Sequence, residues 1–101
     1  MKDIIGVAWF TDEFTYRRAL EIVADRDNMP ATYEDWKALV RRQCELIKES
    51  GNIAIRADID PETFGDWCRS RGFQPDARGR TAFANHIVIE YQKTGVGTFI
   101  E

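Results

Sequence analysis

Ile53-Ala54-Ile55-Arg56-Ala57-Asp58-Ile59-Asp60-Pro61-Glu62 changes its period near its end, and that change decides the fold. Ile53, Ile55, Ala57 and Ile59 alternate with Ala54, Arg56 and Asp58. This two-residue period is that of a strand with one face buried and the other wetter. At Asp60 the alternation stops. A capping acid, a proline whose fixed φ suits the first helical position, and a glutamate matched to the helix dipole follow in order. Phe64, Trp67 and Cys68 then recur on a helix that Gly72 ends. A strand feeding directly into a helix is a basic unit of α/β architecture.

The same unit stands upstream. Ile4-Ile5-Gly6-Val7-Ala8-Trp9-Phe10 is continuously apolar, as expected of a strand covered on both faces, and it breaks at Thr11-Asp12-Glu13. The Thr11 hydroxyl is expected to cap a helix from Asp12 to about Asp25, with Phe14, Tyr16, Leu20 and Val23 turned inward. The polar loop Asp25-Arg26-Asp27-Asn28-Met29-Pro30 follows. Thr32-Tyr33-Glu34-Asp35 has the form of a capping box with Asp in the last place. Tyr33, Trp36, Val40, Cys44 and Ile47 then repeat at three- and four-residue spacings, up to Gly51.

Beyond Pro75, Phe83, Ile87 and Tyr91, with Ala84 and Val88 beside them, predict a helix from Asp76 to about Gln92 despite the β-branched Ile87-Val88-Ile89. The order is β-α-α-β-α-α, a helix-rich α/β domain bordering on α+β. It is expected to fill residues 1–95, with residues 96–101 a tail that frays or adds an edge strand after Gly95 and Gly97. At an offset of fifty, Ile5 echoes Ile55, Phe14 echoes Phe64 and Tyr33 echoes Phe83, a likeness of topology only. Two strands alone make a poor sheet. If they pair in parallel, both edges stay open unless the tail or a second subunit covers them.

With 101 residues, 44% hydrophobic and 31% charged, the chain has enough apolar surface for one folded core. A net charge of −3 argues against a general nucleic-acid coat or a binder of anionic membranes. The charge is uneven. Residues 1–66 carry 14 acidic and 9 basic side chains, whereas residues 67–101 carry 3 and 5, so a local basic patch stays open. Cys44 and Cys68 are the two cysteines, without a C-x-x-C pair, and fit buried reduced thiols in the cytosol. The Ile4–Phe10 run is too short for a membrane span and lacks a small-residue cleavage site, so neither anchor nor leader is expected.

Several side chains carry potential chemistry. Arg69, Arg71, Arg78 and Arg80 crowd a helix–turn–helix joint with Phe73 between them, a composition suited to phosphate or carboxylate. The last helix would then offer Arg78, Arg80 and Asn85 to a nucleic-acid groove, although Phe83, Ile87 and Tyr91 are needed by a core. The alternative is a solvated turn paired with Asp66, Asp76 and Glu90.

Asp58 and Asp60, with Glu62, sit at the end of the second strand, where carboxylates hold cations in some α/β proteins, but Asp60 is already explained as a cap. Cys68 and His86 make a conceivable nucleophile and base, set against a buried thiol and an ordinary surface histidine. Of the aromatic stock, Trp9 and Phe10 have opposite strand parity, so one ring is expected to protrude toward an interface, and Phe99 of the tail is a third interface candidate.

Thr32-Tyr33-Glu34-Asp35-Trp36 and Asp60-Pro61-Glu62-Thr63-Phe64-Gly65-Asp66-Trp67-Cys68, followed by Gly72, resemble a family of small uncharacterised bacterial proteins of about this length. That resemblance implies a bacterial or phage source and assigns no residue a role. The leading functional expectation is a small intracellular homo-oligomeric interaction or structural protein, its partner a second copy, with no cofactor. A nucleic-acid-associated factor acting through the arginines is the alternative, and a small enzyme using the acids or the Cys68–His86 pair is the third.

Overall fold

The computed structural model describes residues 2–100; Met1 and Glu101, the outer ends of the expected domain and tail, lie outside the described residues. The elements are β1 (Ile4–Trp9), α1 (Glu13–Ile22), a 3-10 turn (Arg26–Asn28), α2 (Tyr33–Glu49), β2 (Ile53–Asp58), α3 (Pro61–Ser70) and α4 (Ala77–Thr94). The β-α-α-β-α-α order and the mixed α/β class are those of the sequence reading. β1 and β2 pair in parallel, from Ile4 opposite Ile53 to Trp9 opposite Asp58.

Local chemistry sets the helix boundaries. The Thr32 hydroxyl accepts from the Asp35 amide at 3.1 Å, and the Asp60 carboxylate accepts from the Glu62 amide at 2.9 Å. Asp76 does the same for Gly79 at 3.1 Å, and α4 runs through its β-branched stretch to a left-handed Gly95 with φ of +73°. The first helix departs from expectation. Asp12, and not Thr11, is its cap, accepting from the Thr15 amide at 2.7 Å. A charged acceptor at that end also meets the positive pole of the helix, which a hydroxyl does not. The helix stops at Ile22, short of Asp25, because Val23 is already extended with ψ of 142°.

Phe14 is also displaced from its expected place. It is 74% exposed, whereas Tyr16, Ala19 and Val23 are buried. Positions 16, 19 and 23 share one helical face, and position 14 lies roughly 200° around the axis from 16. The echo of Phe14 in buried Phe64 therefore does not extend to packing.

The sheet lies between two helices. α4 crosses the β1 face so closely that a Cβ on Gly6 would sit 2.4 Å from the Ala84 carbonyl oxygen. On the other face, Trp36, Val40 and Cys44 of α2 join Val7 and Ala54 in the core. That cover explains why Ala54, expected on the wetter face of β2, is buried along with Ile55, Ala57 and Ile59. α1 and α3 pack side by side, with Phe10, Tyr16, Phe64 and Cys68 in the same core.

Trp9 and Phe10 do not split between core and surface as strand parity predicts. Their rings lie 5.5 and 5.0 Å from that of Trp36, both edge-on. Phe10 lies one residue past the end of β1, where the pleat no longer dictates direction.

The tail returns to the sheet. The Arg56 amide donates to the Thr98 carbonyl at 2.8 Å and the Ile100 amide to the Ala54 carbonyl at 2.9 Å, placing Phe99 antiparallel to Ile55. The Phe99 ring stands edge-on to Tyr91 at 5.1 Å. Gly97 permits this approach, since a Cβ there would lie 2.6 Å from the Ile55 Cδ1. The tail thus meets the outer edge of β2 at the Ala54 carbonyl and the Arg56 amide.

Candidate functional site

Three of the four arginines have partners of their own. Arg69 pairs with Asp66 on its own helix, and Arg71 lies over the Trp67 ring at 4.5 Å. Arg80 turns inward and grips Asp25 with two hydrogen bonds, 3.0 Å from Nη1 to Oδ1 and 2.7 Å from Nη2 to Oδ2. Their side chains are 15% and 17% exposed. The Arg80 fork holds the Asp25 carboxyl below the ordinary carboxylate range. The pair clamps the loop after α1 to the start of α4, beside an Ala24 amide to Pro75 carbonyl bond of 2.9 Å. Arg78 alone faces a shallow surface hollow, lined also by Phe73, Thr81 and Asn85.

The acids and the thiols have structural partners too. Asp58 receives Nε and Nη2 of Arg56 at 3.1 and 3.0 Å, and Asp60 is committed to its cap. Among the described residues, no three His, Cys, Asp or Glu side chains gather as metal ligands. Cys68 is fully buried, and burial raises its thiol pKa, away from the thiolate that a nucleophile requires. His86 rests beside Trp67 at 5.6 Å between ring centres. Of the interface candidates, Phe10 is buried, Trp9 is half-buried beneath Arg56 at 5.4 Å, and Phe99 is 41% exposed on Tyr91.

A different feature gathers unspent binding capacity. Asp3 and Trp9 turn their carbonyls to the Ile53 and Ile59 amides at 2.9 Å, so odd-numbered residues of β1 bond to β2. By the alternation of a strand, Ile4, Gly6 and Ala8 turn their N–H and C=O groups the other way. Among the described residues nothing bonds to these groups; the next outward carbonyl, of Phe10, accepts from the Tyr33 hydroxyl at 3.2 Å.

This edge opens onto a groove of about 530 Å³ between α2 and α4. Its α2 wall includes Leu39, Gln43 and Leu46, its α4 wall Thr81, Ala84 and Asn85, and Arg80, already paired with Asp25, is the charged residue of the lining. Leu39 is 47% and Leu46 58% exposed, and Ile5 on the strand is 37% exposed.

Sequence reading missed these two leucines because the α2 core stripe runs through Trp36, Val40, Cys44 and Ile47. Leu39 and Leu46, seven residues apart with Gln43 between, form a second apolar line at its margin. That line was the available signal. No protein-family model, curated protein or solved structure matches the chain. Among the described residues, no helix is long and apolar enough to cross a membrane.

Proposed function

We propose that this chain is a small self-associating interaction protein, whose contact surface is the outer edge of β1 together with the groove between α2 and α4. The observation that carries the reading is the contrast between the two edges of the sheet. The tail bonds to the Ala54 carbonyl and the Arg56 amide of the β2 edge, while on the β1 edge the outward groups of Ile4, Gly6 and Ala8 are all without partners among the described residues. Exposed strand edges are ordinarily blunted by charge, proline, a bulge or a covering segment. β1 contains no charged residue and no proline, and it pairs with β2 in unbroken register. An edge left flat and uncharged beside apolar side chains is suited to burial against a partner.

The arginines support the nucleic-acid alternative less well, since Arg69 and Arg80 are neutralised by Asp66 and Asp25 and Arg71 is spread over Trp67. Two free, buried cysteines favour a reducing intracellular setting.

Light scattering of wild type beside the double variant Leu39→Glu/Leu46→Glu tests the proposal. The leucines are 47% and 58% exposed in the single chain, so the variant should still fold, at a cost of about 1–3 kcal/mol that circular dichroism reads beside the mass. Its mass should fall to that of one chain where the wild type is larger. Equal masses for the two proteins at every concentration would remove this face as the contact.

A further inference from the structure

Resting on that reading, we infer that the partner in the groove is the β1 edge of a second copy, added antiparallel about a two-fold axis through Gly6. Residues that turn both backbone groups outward form the closely bonded pairs of an antiparallel ladder. On β1 these are Ile4, Gly6 and Ala8, so Gly6 faces Gly6 of the second copy and Ile4 faces its Ala8. The ladder contains about six hydrogen bonds, two for each of three facing pairs. The two sheets become one, and each tail remains on its own outer edge.

Three observations select this occupant. The first is charge: the β1 segment is uncharged, and the charged residue in the groove wall, Arg80, is already neutralised by Asp25. Desolvating this surface against its own copy therefore buries no unpaired charge and brings no like charges together along the strand.

The second is self-complementarity. An isologous contact requires a surface that fits itself, and an edge with outward groups on three alternate residues meets that condition about its central one. The third is the arrangement of the walls. Leu39, Leu46 and Ile5 line the α2 side, where the second copy brings the same three side chains to cover them. Thr81 and Ala84 line the α4 side and are small enough for a neighbouring helix to approach.

The two-fold axis limits the assembly. Both copies spend the same β1 edge on each other, so the contact closes at two and does not propagate, whereas a head-to-tail contact between different edges would build a fibre.

Amide hydrogen exchange on the full chain, followed as a function of concentration, tests the register. The Ile4, Gly6 and Ala8 amides should exchange rapidly in dilute protein and slow by at least about tenfold once dimer dominates. The Ile5, Val7 and Trp9 amides, bonded within the chain, should stay slow throughout. Ala8→Pro removes an outward N–H that the single chain does not use, as an edge strand tolerates. It should weaken dimerisation by at least about tenfold, from the lost bonds and the disturbed ladder.

Methylation of the Ala8 amide nitrogen by chemical synthesis is the second probe, should proline perturb the strand, and the same loss is expected. Dimer that forms with Ile4, Gly6 and Ala8 still exchanging rapidly would overturn the ladder while leaving self-association intact. Wild type that never dimerises would overturn both.

Discussion

Replacing Asp25 by Asn should cost the fold about 2–3 kcal/mol at neutral pH, between the near-zero value of surface pairs and the 3–5 kcal/mol of fully buried ones. Asp25 and Arg80 are 17% and 15% exposed and share two hydrogen bonds. The variant leaves a mostly buried guanidinium facing a neutral amide. For a chain of this size the loss corresponds to a fall in Tm of roughly 10–20 °C, read by circular dichroism at one fixed protein concentration. In the double variant Asp25→Asn/Arg80→Met, no unpaired charge remains, so its loss should be smaller than the sum of the single losses by at least about 1 kcal/mol.

The pH dependence gives an independent check. Arg80 depresses the Asp25 carboxyl below its ordinary range in the folded chain, so the pair's stabilisation is complete above the unfolded aspartate pKa of about 3.9. It fades as pH falls through the lower, folded value. The gap between wild type and Asp25→Asn should therefore be constant at neutral pH and narrow below about pH 4. A gap under about 0.5 kcal/mol at pH 7, or one that widens in acid, would refute the clamp and return Arg80 to the pool of available cations.

Gly6→Ala should destabilise by about 1–3 kcal/mol, because the new methyl meets the backbone of α4 at Ala84 and not a movable side-chain end; urea denaturation measures it. Phe99→Ala should cost about 1 kcal/mol by removing its contact with Tyr91, and should speed exchange at the Arg56 and Ile100 amides, measurable by NMR. Both cysteines should resist a thiol reagent in the native state and react on denaturation. Burial raises the pKa of each and withholds the thiolate, so rapid native labelling would contradict their packing.

Much of the fold was legible where local chemistry acts alone. Asp60-Pro61 starts α3 as read, Thr32 caps α2, and the Phe83–Tyr91 stripe outweighs three β-branched neighbours to make α4. Errors arose where one residue of phase matters. The choice between Thr11 and Asp12 turns on which acceptor reaches the Thr15 amide, and Phe14 lies on the wrong side of α1 although its composition suits a core.

The arginines of the joint are close in sequence, whereas the partner of Arg80 is 55 residues away and is brought to it only by folding. The groove was half legible. Open strand edges follow from having two parallel strands, but which edge the tail covers depends on its path after Gly95. The exposure of Leu39 and Leu46 depends on α2 sitting over the sheet with its margin uncovered.

Sedimentation equilibrium of the wild-type chain, from about 1 μM to about 1 mM, reads the pairing itself, since that range spans association free energies of about −8 to −4 kcal/mol. Two-fold pairing of the open β1 edges predicts a single transition to twice the chain mass of 11.7 kDa, with no larger species above it. A mass that stays at one chain throughout, or that climbs without limit, would contradict the account.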